Sequence, residues 1–311
     1  PLLVLGAGGK MGPTLAVLAH RAAEAAGHSL EVIAVSRFTD PRARPWLEER
    51  GVRTITADLL DRSAVARLPD AARLVYLVGR KFGTQGNPSL SWALNTLVPA
   101  NIAERYAGAH IVALSTGNVY PFVPVASDGA TEETPLTPLG EYANAAVARE
   151  RVFEHFSHQH GTRIALIRLN YAVELRYGVL VDIARRIREG EPVDLTNGWF
   201  NCIWQGDANE LILRALPLAA APAAAWNLTG PAKLEVRRLA QQLSTLLDRP
   251  ARFTGTPADT ALLSNPAKLC AELGEPRTPV DDILRWTAHW VGNGGRLLDK
   301  PTRFEVRDGK Y

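Results

Sequence analysis

The residues best suited to chemistry stand at the start of the chain: Gly6, Gly9 and Gly12, spaced G-x-x-G-x-x-G, with Lys10 and Met11 between the last two. Each glycine answers a physical need: a tight turn, a bare backbone that lets a diphosphate come close, and close packing of a helix on a strand. Ahead of them, Leu2-Leu3-Val4-Leu5 is apolar without polar alternation, as in a strand buried on both faces of a parallel sheet. Behind them, residues 14–26 form an alanine-rich helical stretch, and Pro13 suits its first turn because no partner awaits the missing N–H. Such a helix start offers free N–H groups and positive dipole to an anion. Placed between a buried strand and a long helix, the spacing points to dinucleotide binding; a merely tight turn is the alternative.

The end of the second strand, where an adenosine ribose would lie, reads Ser36-Arg37. A carboxylate there would accept from both ribose hydroxyls and repel a 2′-phosphate, whereas a serine hydroxyl and an arginine would hold that phosphate. The pair favours NADP, with NAD the alternative and a solvated loop arginine the plain one. After the third strand, Asp58-Leu59 would set a carboxylate beside the adenine amino group and an apolar residue on its face. Asp61 is the better N-cap for the helix that follows.

Stepping outward, strands at 31–35, 52–55, 74–78, 111–114 and 163–169 alternate with helices at 62–68, 91–106 and 141–160. That alternation predicts right-handed βαβ crossovers and a doubly wound α/β sheet of the Rossmann type over residues 1–169. The sheet is expected to be rejoined around 200–230, with a smaller, discontinuous substrate lobe from 170–199 and 231–311. At 311 residues and 46% hydrophobic the chain can bury both units. A net charge of +3 with scattered basic residues argues against nucleic acid. Cys202 and Cys270 lie far apart, and His155, His158 and His160 sit near a helix end, so no metal site is expected. The cysteines fit a reducing compartment, and no apolar run reaches membrane-spanning length, so a soluble, cytoplasmic protein is expected.

With these pieces placed, nearly the whole chain resembles the extended short-chain dehydrogenase/reductases, the group of NAD-dependent epimerases and dehydratases. Gly6, Gly9 and Gly12 match that group's glycine motif, and Asp58-Leu59 its adenine contact. Val78-Gly79-Arg80 falls on its small-residue stretch after the fourth strand, and Asn95 on its recurrent asparagine. Leu114 to Tyr120 is similar to its active-site strand end, and Arg168-Leu169-Asn170 to its strand into the substrate lobe. The resemblance implies that Thr116 orients a substrate oxygen, that Tyr142 gives or takes the proton while hydride moves to or from a nicotinamide, and that Asn118 and Asn170 flank the substrate. It also implies a homodimer through the helices at 91–106 and 141–160.

One departure matters. The group's Tyr-x-x-x-Lys pattern draws on a lysine that holds the nicotinamide ribose and makes the tyrosine more acidic; here Ala146 stands at that place. Tyr142 is then a proton donor and a poor base. Three explanations stay open: another cation steps in, with Lys81 better placed than Arg80; the reaction needs only a neutral hydroxyl donor; or the fold binds cofactor or a partner without turnover. In the second lobe, Trp199 can stack on a sugar-like ring, or pack between lobes. Residues 199–201 lack the arginine with which sugar-nucleotide members hold a diphosphate, which argues against that substrate class. Asp207 is expected to cap the helix at 208–216.

Overall fold

The computed structural model describes residues 1–79, 86–298, 300 and 302–310. Seven parallel strands make one sheet: β1 (Leu2–Leu5), β2 (Val32–Ser36), β3 (Arg53–Thr56), β4 (Arg73–Tyr76), β5 (His110–Thr116), β6 (Arg163–Leu169) and β7 (Ala224–Leu228). Their spatial order is β7-β6-β5-β4-β1-β2-β3. The order in which strands are added reverses between β1, which hands on to β2, and β4, which hands on to β5, so a crevice opens beyond the carboxyl ends of β1 and β4.

The unbroken apolar run of β1 is explained by its position. Leu3 lies in register between Ile33 and Leu74, and successive β1 residues point into two different cores. Leu2 and Val4 join the core under α1 (Gly12–Ala25), α2 (Ala43–Glu48) and α7 (Gln205–Arg214). Leu3 and Leu5 join the one under α3 (Arg62–Ala66), α4 (Pro88–Arg105) and α5 (Gly140–His160). Asp61 caps α3 as expected, its carboxylate accepting from the Ser63 N–H. The arginine-rich stretch at 42–50 contains the short helix α2 and ends in a glycine turn at Gly51 with φ +78°. Asp207 corrects an expectation: it lies inside the first turn of α7 and accepts from the Thr278 N–H and hydroxyl. The chain enters α7 from Trp204, whose side chain makes no cap hydrogen bond.

A third core packs α6 (Val179–Glu189), α8 (Val236–Leu247) and α10 (Val280–Gly292) together, apart from the sheet. Helix α9 (Ala267–Leu273) returns to the sheet side, where Leu269 packs with Trp226 and Leu228 of β7. Cys202 is buried in the third core, and burial pushes its thiol up to about 12; both cysteines are free.

A buried polar knot joins β5, β6, β7 and α5. Arg168 pairs with Glu150 at 2.8 Å, with side chains 5% and 0% exposed. Ser115 donates to the same carboxylate, Arg168 donates to the Tyr120 hydroxyl at 2.8 Å, and that hydroxyl donates to Asn227 at 2.8 Å. Burial raises the Tyr120 hydroxyl to about 12, against the pull of Arg168. For Arg168, burial works against its charge, but the Glu150 hydrogen bonds and charge outweigh it and hold the guanidinium firmly protonated. The knot fixes the strand ends on which Thr116 and Asn170 stand.

Candidate active site

Two cavities run end to end along the crevice and share Gly6, Gly9, Leu77 and Gly79 in their walls. The first, of about 430 Å³, is lined by Gly8, Ser36, Arg37, Thr39, Asp58, Leu59, Val78 and Lys300. The second, of about 280 Å³, is lined by Lys10, Met11, Gly12, Thr116, Asn118, Asn170, Tyr177 and Thr302.

The glycines act as their spacing requires. Gly6 turns with φ +82°, out of reach of most side chains. Gly12 lets α1 start directly against the turn that follows β1: a methyl group there would lie 2.5 Å from the Ala7 Cα. A Cβ on Gly8 would meet the Ser36 hydroxyl at 2.7 Å, so bare backbone and serine share one narrow rim. An extended dinucleotide fits this cradle. Its adenosine end would lie by Ser36, Arg37, Asp58 and Leu59, its diphosphate against the α1 start, and its nicotinamide toward Thr116.

At that end, Thr116 closes β5 and its hydroxyl accepts from the Asn118 N–H at 3.2 Å, so the strand-end turn and the catalytic candidate are one device. Asn170 is 2% exposed and spends its amide on Asn201 at 2.8 Å and the Leu262 carbonyl at 3.3 Å; it shapes the wall and ties it to the second lobe. Lys10 reaches from the glycine loop into the second cavity, donating to the Ala172 carbonyl at 2.6 Å and lying 4.5 Å from the Tyr177 ring centroid. Tyr142 stands in the first turn of α5 and is in the described lining of neither cavity, though its hydroxyl acts electrostatically on Tyr177, which lines the second. Burial raises the Tyr177 hydroxyl well above its ordinary range, with Asp182 and Tyr142 adding to the shift. Ala146 is fully buried with Val119, Tyr120 and Ala130.

Not every expected residue meets the cavities. Asn95 is completely buried behind Gly79, donating to the Ser91 carbonyl at 2.7 Å and accepting from Arg149 at 2.8 Å. It supports the wall without touching the lumen. Trp199 lies on a two-residue strand, Trp199–Phe200, paired with Leu234–Glu235, away from both described linings. Arg80 and Lys81 lie outside the described residues.

Sequence reasoning passed over Arg149, Tyr177, Lys300 and Thr302. Arg149 carried a signal: it follows Ala146 by three positions, on the same face of α5. Only 4% exposed, its guanidinium donates to the Val78 carbonyl at 3.2 Å as well as to Asn95, and its Nε has no hydrogen-bond partner among the described residues. Among the described residues no carboxylate pairs with it. A Cβ on Gly79 would sit 2.6 Å from its Nη1, so this cation presses closely on the crevice wall. Nothing local in the sequence marks the other three, which the fold brings from distant segments.

With this geometry in view, residues 2–228 match the model of the NAD dependent epimerase/dehydratase family. The chain belongs to that family. Similar solved structures include a dTDP-glucose 4,6-dehydratase from Streptomyces venezuelae with NAD bound, at 21% identity and TM-score 0.78, covering 93% of this chain and 96% of that one. A UDP-glucose 4-epimerase from Thermotoga maritima is 17% identical with TM-score 0.78, covering 94% and 99%. A UDP-glucuronic acid 4-epimerase from Bacillus cereus in complex with NAD is 15% identical with TM-score 0.76, covering 94% and 98%. At these identities the likeness speaks for the fold. No curated protein matches the chain in sequence.

Gly12→Ala is expected to weaken nicotinamide dinucleotide binding by more than about 100-fold, because the methyl pushes the start of α1 off the Ala7 backbone and moves the N–H groups that would meet the diphosphate. Equilibrium titration measures it. Unchanged affinity would show that the diphosphate does not rest on this helix start.

Proposed function

We propose that the protein is an NADP-dependent oxidoreductase of the epimerase or dehydratase type, acting on a hydroxyl or carbonyl of a small sugar-like molecule. The observation that carries the cofactor choice is the adenosine wall. Ser36 and Arg37 stand at the end of β2, and the one acidic residue among the described lining, Asp58, belongs to the adenine side. A 2′-phosphate would meet a hydroxyl and a guanidinium there, with no carboxylate from β2 to repel it.

The bound nicotinamide would supply hydride chemistry. The chain's own residues do the rest. Thr116 holds the substrate oxygen through its hydroxyl, oriented by the Asn118 turn. Tyr142 donates the proton at that oxygen. Lys10 sets a positive charge in the reacting cavity, the only charged side chain among its described wall residues. The apolar Leu77, Leu114, Leu169 and Val173 in the same wall keep water out. The missing lysine at Ala146 supports a second reading, a sensor or scaffold that binds NADP without turnover. Pairing of two copies through α4 and α5 is supported by Leu97, 56% exposed on α4. Among the described residues, no helix is long and apolar enough to cross a membrane.

Titration of the cofactor-stripped protein with NADPH and with NADH tests the proposal. NADPH is expected to bind at least about tenfold tighter, and Arg37→Ala to remove most of that preference. Tighter NADH binding would overturn the NADP assignment and leave the enzyme class standing. Binding of neither would favour a partner-binding role.

A further inference from the structure

We propose that residues 295–298, 300 and 302–310 are a working part of the cofactor cleft, in which Lys300 joins Arg37 in holding the 2′-phosphate of NADP. This rests on the NADP assignment above. These described residues are fastened at several points. The Leu298 N–H donates to the Arg176 carbonyl at 3.0 Å. Thr302 donates through its N–H at 3.0 Å and its hydroxyl at 2.5 Å to one oxygen of Asp182. Phe304 is 7% exposed and packs in the second-lobe core, its ring 5.9 Å from that of Phe200. Arg307 donates to the Thr260 carbonyl at 2.9 Å and hydroxyl at 2.6 Å. Farther on, Gly309 presses so closely on Gly140, at the start of α5, that a Cβ there would meet its carbonyl at 2.1 Å.

Lys300 lies between the Leu298 and Thr302 anchors. Both anchors belong to the second lobe, yet Lys300 lines the adenosine cavity with Ser36, Arg37 and Thr39 of the sheet domain. Its charge therefore spans the crevice. Arg296 extends the same field, since it helps hold the Asp40 carboxyl low, after the larger effect of Arg42. A phosphate monoester carries nearly two negative charges and is best matched by cations from more than one side, whereas a ribose hydroxyl requires none. Thr302 meanwhile lines the second cavity, so the same fastened segment walls both ends of the crevice.

The test is equilibrium titration of the full chain with NADPH and NADH, comparing wild type, Lys300→Ala, Lys300→Arg and Arg37→Ala. Lys300→Ala is expected to weaken NADPH binding about 5- to 10-fold, to leave NADH within about twofold, and to be largely rescued by Lys300→Arg. Because Lys300 is exposed, its variants should melt with the wild type. An equal loss for both cofactors, or none for either, overturns the role of Lys300 while a wild-type preference for NADPH keeps the NADP assignment. A wild-type preference for NADH removes both.

Discussion

Replacing Arg168 by methionine is expected to destabilise the fold by about 3–5 kcal/mol. The reason is what remains behind. Glu150 has no exposed side-chain surface, and among the described residues its charge keeps only the Ser115 hydroxyl without Arg168. Tyr120 loses its donor as well, and with it a tie between β6 and β7. A second variant separates the pair's net worth from the penalty of orphaning one partner. Glu150→Gln combined with Arg168→Met removes both charges, and should recover a large part of the loss, since neutral groups of similar size tolerate burial far better than a lone carboxylate. Denaturant midpoints of the two variants and the wild type measure this. Equal losses in the single and double variants would mean that packing, not charge, carries the stability. Because Ser115 precedes Thr116 and Arg168 lies two residues before Asn170, any loosening also reaches the reacting end of the crevice.

Much of this was legible in the sequence, for reasons of local physics. An apolar run with no alternation has one stable home, a strand covered on both faces, and β1 occupies it. The glycine spacing was readable because sterics, not context, demand glycine at Gly6 and Gly12. Ser36, Arg37, Asp58 and Leu59 follow from strand order, because strand ends in such a sheet share one crevice. What could not be read depends on tertiary approach. Asn95 was expected at the cofactor and lies behind its wall, since the helical pattern fixes the face a residue takes and not the layer it reaches. Asp207 was expected to cap a helix and instead ties α7 to Thr278, a contact between residues 71 positions apart. Tyr177 and Thr302 line the reacting cavity from separate segments with no motif to announce them.

Tyr142 and Tyr177 raise the sharpest mechanistic question, and kinetics on the two phenylalanine variants answers it. Tyr142→Phe is expected to lower kcat by about 10²–10⁴-fold, the range for removing a positioned acid, with cofactor affinity nearly unchanged. Tyr177→Phe should cost less than about tenfold. The asymmetry has a physical basis. Burial, then Asp182 and Tyr142, push the Tyr177 hydroxyl up, so it gives away its proton reluctantly. Lys10 lies over the face of that ring, a placement that stabilises the side chain through the ring's electron-rich surface. Tyr177 therefore serves as wall and as a seat for Lys10, and the proposed acid is Tyr142 at the start of α5. Hydride transfer followed by nicotinamide absorbance across a panel of sugars, free and nucleotide-linked, provides the assay. The reverse asymmetry would move the donor role to Tyr177 and make Lys10 the cation that serves it. Full activity in both variants would show that the proton comes from neither phenol, and would turn attention to Thr116 and water. Ala146 gives the result its meaning: with no lysine one turn along α5, whichever hydroxyl acts works as a neutral donor or draws on another cation, and Lys10 of the glycine loop is the one that lines this cavity among the described residues.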